Sequence, residues 1–290
     1  MAQKITVIMG PTASGKSALA VARGAHDNAH IINADAMQCY DALPILTAQP
    51  PLHEQAGLSH ALYGVLKPDK SVTAASWVDM AASEIRTAFD AGKTPYIVGG
   101  TGLYLKALME GLSPMPDIPA DIRDAVRART REDIYADLQS RDPVMAQRLK
   151  AGDTQRLMRA MEVLEATGES LSVWQNMPPK KLHGEWTYHV VAINPDKEIL
   201  ERNIRTRLGN MMKAGVMDEV KTLSDKIDTG VVAPDALIVM AHGFRNLRKT
   251  LNGDMSMDDA MEATVIETRQ YTKRQRTWLR HQIKADEMIA

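Results

Sequence analysis

The segment Gly10–Ser17, GPTASGKS, constrains the fold of this 290-residue chain more than any other stretch. It follows an apolar run, Ile5–Met9, and precedes a helix-forming run that starts at Ala18. Its glycines, Lys16 and Ser17 complete the pattern G-x-x-x-x-G-K-[ST], which in phosphate-binding loops lies between a strand and a helix. Backbone N–H groups, a helix N-terminus and Lys16 attract phosphate there, and the Ser17 hydroxyl is a ligand for Mg²⁺. We therefore predict an oligophosphate site, with Ser17 as metal ligand, at Gly10, Pro11, Thr12, Ala13, Ser14, Gly15, Lys16 and Ser17.

Apolar runs and helical patterns alternate around this loop. The predicted strands are Ile5–Met9, Ile31–Asp35, Tyr96–Gly100 and Trp186–Ile193, and the predicted helices begin at Ser17, around Ala74 and at Lys197. Continuous apolar strands separated by helices indicate a parallel sheet covered on both faces. We predict an α/β fold, a P-loop-containing parallel-sheet core with helices on both faces, interrupted by a helical insertion domain.

The middle of the chain has helix signals and no strand pattern. Asp142-Pro143 is a capping pair, and Asp153 precedes a helical run that stops at Gly168. Pro178–Lys181 has the composition of a linker. We predict residues 1–114 as the first part of the core, 115–184 as the helical insertion domain, and 185–290 as core completion with C-terminal basic helices.

Composition excludes several classes of protein. The chain is 44% hydrophobic, but no window approaches the roughly 18 uncharged apolar residues of a membrane span, and no export signal begins it. We therefore expect a cytoplasmic protein with no membrane partner. Cys39 is the single cysteine, which excludes an internal disulfide and a cysteine-based zinc site.

The net charge of −1 conceals a basic segment near the C-terminus. The stretch from Arg269 to Lys284 contains six Lys or Arg residues and no acidic residue. Arg269, Lys273, Arg276 and Arg280 fall at helical spacing, so they share one face. A solvated surface helix also produces such a face, but it normally contains interspersed Glu or Asp. The segregation favours polyanion binding.

Two more groups follow predicted strands and therefore belong at the same edge of the sheet as the phosphate-binding loop. Asp35 follows the second strand, where it can act as a ligand for metal-bound water, as a general base, or simply as a helix N-cap. Gly99-Gly100-Thr101-Gly102 follows the strand at Tyr96–Val98. Its glycines allow backbone to approach a ligand closely, although a tight turn uses them equally well.

Six further motifs span nearly the whole chain. They are Asp35–Tyr40, Leu43–Pro50, Val98–Tyr104, Asp153–Val163 with Thr167-Gly168, Met212–Val220 and Thr268–Arg280. In sequence and order they resemble the motifs of bacterial tRNA dimethylallyltransferases. The resemblance implies transfer of a dimethylallyl group from dimethylallyl diphosphate to the exocyclic amine of the adenine 3′ of the anticodon, with Mg²⁺ as cofactor. For such an enzyme we expect a monomer to suffice.

The resemblance also implies roles for individual residues. Asp35 would hydrogen-bond the adenine amine and accept its proton, and Thr101 would contact the substrates. Arg207 matches an arginine that helps to hold the diphosphate, whereas its sequence context alone favours a solvent-exposed helix charge. The residues implied to contact the tRNA anticodon stem-loop are Asp35, Ala36, Met37, Gln38, Thr101, Arg123, Gln155, Arg156, Leu157, Met158, Arg159, Lys273, Arg274, Gln275, Arg276, Thr277, Trp278, Leu279 and Arg280.

The chain departs from the family pattern at four places. Ala36 replaces a Ser, Gln49 replaces a Lys, Asn203 replaces an Arg, and His242-Gly243-Phe244 replaces Ile/Val-Gly-Tyr. We expect these changes to affect secondary tRNA contacts.

Three other functions compete with this reading. A P-loop kinase of a small metabolite, with Asp35 as base and the insertion as a lid, fits the first 110 residues, but it leaves the basic helix unexplained. An adenylate prenyltransferase acting on a free nucleotide needs no extended RNA surface. A non-enzymatic RNA-binding module explains the basic helix, but it does not explain the phosphate-binding loop with Lys16 and Asp35.

Overall fold

The computed structural model describes residues 3–181 and 184–290, which form two compact units. One unit contains Met1–Met109 and His183–Ala290, and the other contains Glu110–Leu182. The second unit and the predicted insertion, 115–184, begin and end within a few residues of each other. Residues 182 and 183, next to the predicted end, lie outside the described residues.

The first unit is built on a six-stranded parallel sheet with strand order β3-β2-β4-β1-β5-β6. The strands are β1 Gln3–Met9, β2 Ala29–Asn33, β3 Ser59–Ala61, β4 Thr94–Gly99, β5 Trp186–Ile193 and β6 Glu287–Ile289. All positions of β2 and the last five of β1 are buried, as expected for strands covered on both faces. The predicted α/β class is confirmed.

Four of these strands match the predicted ones closely, and the two edge strands do not appear in the sequence pattern. β3 and β6 are each three residues long and are only partly buried or exposed, so no continuous apolar run marks them. In the centre, β1 lies between β4 and β5, with Val7 opposite Ile97 on one side and Val190 on the other.

Seven helices accompany the sheet in the described part of the first unit. They are α1 Lys16–Asp27, α2 Ala74–Asp90, α3 Gly102–Glu110, α9 Lys197–Lys213, α10 Val216–Asp228, α11 Phe244–Leu251 and α12 Met257–Gln282. Thr73 begins α2 with a capping box to Ser76. Within residues 3–181 and 184–290, no helix combines the length and the hydropathy needed to cross a bilayer.

The second unit is helical in its described residues. Its helices are α4 Ala120–Arg127, α5 Arg131–Arg141, α6 Pro143–Arg148, α7 Thr154–Thr167 and α8 Leu171–Asn176. The carboxylates of Asp142 and Asp153 cap α6 and α7, and Gly168 ends α7 with a positive φ of 72°. These caps lie at the predicted positions. The unit has its own apolar core, which includes Ile134, Leu157 and Met161.

Candidate active site

The carboxyl ends of β1, β2 and β4 surround a cavity of about 660 Å³ in the first unit. The phosphate-binding loop follows β1, Asp35 follows β2, and Gly100-Thr101 follows β4, because parallel strands end at the same edge of a sheet. Helix α9 adds Arg207, and α12 adds Tyr271. Apolar side chains complete the wall, namely Leu46, Ile204, Leu208, Met211 and Met240.

All eight predicted loop residues lie together around the N-terminus of α1. Gly15 immediately precedes the helix with φ 88°, a left-handed conformation that glycine adopts without strain. The Ser14 hydroxyl is buried and has no hydrogen-bond partner among the described residues, whereas Ser17 is exposed on the first turn. Gly10 is needed for another reason, because a Cβ there would lie 2.5 Å from the Ile193 carbonyl oxygen of β5.

The Lys16 side chain folds back onto the phosphate-binding loop. Its ammonium donates a hydrogen bond to the Pro11 carbonyl at 2.8 Å. Burial lowers the pKa of Lys16 to about 8, with Asp35 opposing the shift and Arg207 adding to it. An anion in the loop would restore the charged form, so the site is electrostatically prepared for phosphate.

Arg207 contributes a second cation from α9. Burial of its guanidinium lowers the pKa, and the Asp35 charge opposes that shift. Among the described residues, no hydrogen bond or ion pair at salt-bridge distance holds this guanidinium. Arg207 is half-buried on the cavity wall, and a desolvated cation without a bonded partner is costly, so its position indicates an anionic ligand. Arg207 therefore differs from the solvent-exposed helix charge that sequence context alone favoured.

Asp35 is held rigidly by its own loop. Its backbone N–H donates to the Asn33 side chain at 2.9 Å, and its Oδ1 accepts from the Met37 N–H at 3.1 Å. Asn33 is itself fully buried. Ala36 is the N-cap of the short 3₁₀ helix Met37–Cys39, so Asp35 is not its cap residue and instead bonds the Met37 N–H two residues ahead. No hydrogen bond from a described residue reaches the Asp35 Oδ2. One carboxylate oxygen remains available in the cavity.

Thr101 and its glycines act within the protein. The Thr101 hydroxyl accepts the Ala36 N–H at 3.1 Å, and the Thr101 N–H donates to the Ala34 carbonyl at 3.1 Å. A Cβ at Gly99 would lie 2.2 Å from the Ala34 backbone, and one at Gly102 would lie 2.4 Å from the Trp278 ring. These glycines therefore allow close packing of neighbouring protein segments, and Gly99 also lines the cavity.

The wall formed by residues 43–49 is fastened by polar side chains. The Gln38 amide donates to the carbonyls of Thr47 and Ala48, and the Gln49 amide donates to the Tyr40 carbonyl. Glu219 of α10 accepts the N–H groups of Ile45 and Leu46. Gln38 and Gln49 thus have their amide groups engaged in holding the loop that lines the cavity.

Comparison with known proteins agrees with this geometry. A family model described as "IPP transferase" matches residues 38–282, and one described as "Isopentenyl transferase" matches residues 3–63. A tRNA dimethylallyltransferase of Paramagnetospirillum magneticum is 44% identical over 96% of this chain and 88% of its own length. That of Agrobacterium fabrum is 41% identical over 97% of this chain and 94% of its own length.

The chain belongs to the tRNA dimethylallyltransferase family. Solved structures support the assignment. A eukaryotic dimethylallyltransferase acting on tRNA aligns with a TM-score of 0.80 and 25% identity over 96% of this chain and 70% of that chain. The tRNA isopentenylpyrophosphate transferase of Bacillus halodurans aligns with a TM-score of 0.69 and 27% identity over 99% of this chain and 89% of that chain. This family membership makes the protein a prenyltransferase by class.

Helix α12 presents two different sets of side chains. Lys273, Arg274, Thr277 and Arg280 are exposed, while Arg276 is half-buried and donates to the Asn194 side chain at 2.8 Å. Arg274 also lines the cavity, with its guanidinium 5.4 Å from the Tyr271 ring centre. The acid-free character of the segment is offset in part, because Arg269 pairs with Glu201 of α9.

The remaining residues of that segment are in or against the core. Gln275 and Leu279 are buried, and Trp278 packs against Gly102. Burial removes Gln275 and Leu279 from any RNA-contacting surface, which corrects their predicted role. A charge pattern identifies the basic face of a helix, but it does not distinguish a polar residue that points into the core from one that points to solvent.

The second unit contains the other residues that the resemblance assigns to tRNA. Arg123, Gln155 and Arg156 are exposed, and Arg159 is partly exposed with Glu162 at 3.5 Å. Leu157 is fully buried and Met158 packs against the core of the unit, so neither forms a polar surface. Leu157 is therefore a core residue, again contrary to its predicted contact role.

Several cavity residues did not emerge from the sequence. Tyr63 and Tyr271 line the cavity, and burial raises the pKa of both hydroxyls, which keeps them neutral. Asn203 donates to the Ala13 carbonyl at 3.1 Å and so steadies the phosphate-binding loop. His242 lies 4.5 Å from the Tyr271 ring centre and contacts Glu267 at 3.1 Å. Only the departures at Asn203 and His242 marked these positions in advance.

Proposed function

We propose that this protein transfers a dimethylallyl group from dimethylallyl diphosphate to the exocyclic amine of the adenine 3′ of the anticodon in tRNA, releasing diphosphate. The observation that carries the proposal is the half-buried Arg207, which has no bonded partner among the described residues and shares a cavity with Lys16 and Asp35. Two cations and one carboxylate suit a reaction that needs an anion held and a proton removed.

The diphosphate occupies the phosphate-binding loop. As the bond between the allylic carbon and oxygen breaks, negative charge grows on the departing diphosphate. Lys16, Arg207 and the N–H groups at the start of α1 face that charge, so they stabilise the transition state more than the bound substrate. The apolar side chains on the cavity wall suit a five-carbon prenyl chain.

The residues present also fit a magnesium ion. The described residues contain no group of three His, Cys, Asp or Glu side chains able to hold a metal. Mg²⁺ commonly binds substrate phosphates and water with only one or two protein ligands, and the exposed Ser17 hydroxyl is such a ligand. When bound, the ion would neutralise part of the leaving-group charge.

Asp35 acts as the general base. Its Oδ1 is held by Met37, and its Oδ2 is free to accept a proton from the adenine amine. The nitrogen forms a bond to the allylic carbon, the carbon–oxygen bond to diphosphate breaks, and the amine proton passes to the carboxylate. The electron pair of the broken bond leaves with the diphosphate, so charge and atoms balance.

The tRNA anticodon stem-loop binds to the basic side chains. In the first unit, Lys273, Arg274, Arg276, Thr277 and Arg280 supply contacts to phosphates, which position the RNA and make its affinity depend on salt. Arg123, Gln155, Arg156 and Arg159 supply contacts from the second unit. Ala36, Met37 and Gln38 lie beside Asp35, where the adenine enters after leaving its stack. We infer a monomeric, cytoplasmic enzyme.

The test supplies purified protein with Mg²⁺, labelled dimethylallyl diphosphate and one of three acceptors. These are unmodified tRNA, the same tRNA with guanine in place of the target adenine, and free adenosine monophosphate. We expect label in the first acceptor alone, released by nuclease digestion as a prenylated adenosine.

The other outcomes separate the competing functions. Label in adenosine monophosphate but not in tRNA would identify a free-nucleotide prenyltransferase. Parallel reactions contain γ-labelled ATP and candidate small alcohols, and phosphate transfer there without prenyl transfer would identify a kinase.

A further inference from the structure

Gln275 connects two loops of the active site from inside the protein. It is only 8% exposed, although it lies within the basic segment of α12. Its Oε1 accepts the Thr12 N–H at 2.8 Å, and its Nε2 donates to the Gly100 carbonyl at 3.0 Å. A Cβ at Gly100 would lie 2.3 Å from that Nε2, so glycine at this position leaves space for the amide.

The Thr12 N–H belongs to the same peptide unit as the Pro11 carbonyl. A peptide unit is planar, and no cis bond occurs in the described chain, so this N–H and carbonyl point in opposite directions. The Pro11 carbonyl accepts hydrogen bonds from the Lys16 ammonium at 2.8 Å and from the Ser14 N–H at 3.3 Å. Gln275 therefore binds the N–H of the Pro11–Thr12 peptide unit, and Lys16 binds the carbonyl of the same unit.

We propose that Gln275 is a positioning residue that orients the Lys16 ammonium by locking the Pro11–Thr12 peptide plane. The inference rests on the proposed diphosphate site, although every contact that carries it lies within the protein. It also assigns Thr12 a structural role, because its N–H is engaged by Gln275 and is not free to bind phosphate.

The consequence is a defined direction of change in Gln275→Met, which removes both amide bonds at similar volume. The peptide plane can then rotate, because the Thr12 N–H loses its acceptor and the Pro11 carbonyl no longer holds the Lys16 ammonium in a fixed position. Exchange of the Thr12 amide hydrogen with solvent is expected to become about tenfold faster. Affinity for inorganic pyrophosphate at pH 7 should weaken about three- to tenfold, corresponding to the loss of one hydrogen bond.

Gln275→Glu is the informative second variant. Its carboxyl group retains an acceptor for the Thr12 N–H. The Thr12 amide hydrogen in this variant should therefore exchange as slowly as in the wild type. Gln270→Met is the matched control, because Gln270 is exposed on the same helix.

The experiment measures exchange of the Thr12 amide hydrogen by NMR in the free protein. It also measures pyrophosphate binding by calorimetry in Gln275→Met, Lys16→Met and the double variant. The inference is supported if Thr12 exchanges faster in Gln275→Met but not in Gln275→Glu or Gln270→Met, and if Gln275→Met weakens pyrophosphate binding only when Lys16 is present. It is overturned if a folded Gln275→Met keeps the wild-type exchange and pyrophosphate affinity, if it weakens binding equally without Lys16, or if only its tRNA affinity changes.

Two further outcomes are also decisive. If Gln275→Met does not fold, Gln275→Glu decides alone, and faster exchange of its Thr12 amide hydrogen would contradict the role given to the acceptor. If the wild-type protein binds no pyrophosphate, the proposed function fails. Exchange of the Thr12 amide hydrogen in the free protein still tests the positioning role.

Discussion

Replacing Gly99 with alanine tests how tightly the two loops that carry Asp35 and Thr101 are joined. The added methyl carbon would lie 2.2 Å from the carbonyl carbon and oxygen of Ala34 and 2.7 Å from its Cα. Carbon contacts require about 3.5 Å, so the backbone must separate by more than about 1 Å. A flexible side chain could turn away, but these atoms are main chain at the end of β2.

The expected loss of stability follows from those contacts. Overpacking in a dense core costs about 1 to 3 kcal/mol. Two hydrogen bonds cross the contact, from Ala34 N–H to the Val98 carbonyl at 2.8 Å and from Thr101 N–H to the Ala34 carbonyl at 3.1 Å. Their loss adds about 1 kcal/mol each. The total of about 3 to 5 kcal/mol corresponds to a melting temperature lower by roughly 10 °C.

Activity should fall further than stability explains, because Asp35 follows Ala34 directly. A displacement of about 1 Å at a catalytic group can lower the rate about a hundredfold. Calorimetry and initial-rate kinetics at a temperature where the variant is folded measure the two effects separately. The control is Gly209→Ala in α9, where no atom lies within 4 Å of the added Cβ and about 0.5 to 1 kcal/mol of stabilisation is expected. A Gly99→Ala protein with the melting temperature and the turnover number of the wild type would refute the reasoning.

Three other predictions concern the site directly. Asp35→Asn removes the proton acceptor and should lower the turnover number about 10²- to 10⁴-fold while pyrophosphate affinity, measured by calorimetry, is retained; an unchanged turnover number excludes Asp35 as the base. Pyrophosphate affinity should fall as pH rises above about 8, by up to about tenfold per unit, because free Lys16 deprotonates there and a bound anion raises its pKa; a flat calorimetric profile up to pH 10 would contradict this role for Lys16. Arg280→Glu should weaken tRNA binding in a filter assay and make its dependence on salt less steep, whereas Lys226→Glu on α10 should do neither; equal effects would place the RNA elsewhere.

The sequence predicts those parts of the fold that local chemistry specifies. β5 and the start of α2 match within a residue, since β5 ends in a buried apolar run and helix ends are set by caps such as Asp153 and Gly168. The edge strands β3 and β6 form by pairing with longer neighbouring strands. A three-residue segment is too short to show a hydrophobic pattern that would predict this pairing.

The residues of the candidate site also divide into those that local sequence predicts and those that it does not. The phosphate-binding loop is local, so its pattern predicts its position after β1. Arg207 becomes a half-buried cation on the cavity wall only because α9 lines the cavity, and Gln275 turns inward only because Gly100 leaves room for it. Both features depend on contacts between segments that are distant in the sequence. Residue spacing within one helix does not indicate such contacts.

The most direct measurement of the central claim is a crystal structure of the protein with the tRNA anticodon stem-loop, Mg²⁺ and a non-hydrolysable thio analogue of dimethylallyl diphosphate. We predict the diphosphate in the Gly10–Ser17 loop beside Lys16 and Arg207, with the allylic carbon facing the adenine amine and Asp35 within hydrogen-bond distance of that amine. Soaked ATP in that loop with its terminal phosphate directed at a small alcohol, or an adenine bound away from Asp35, would contradict the account.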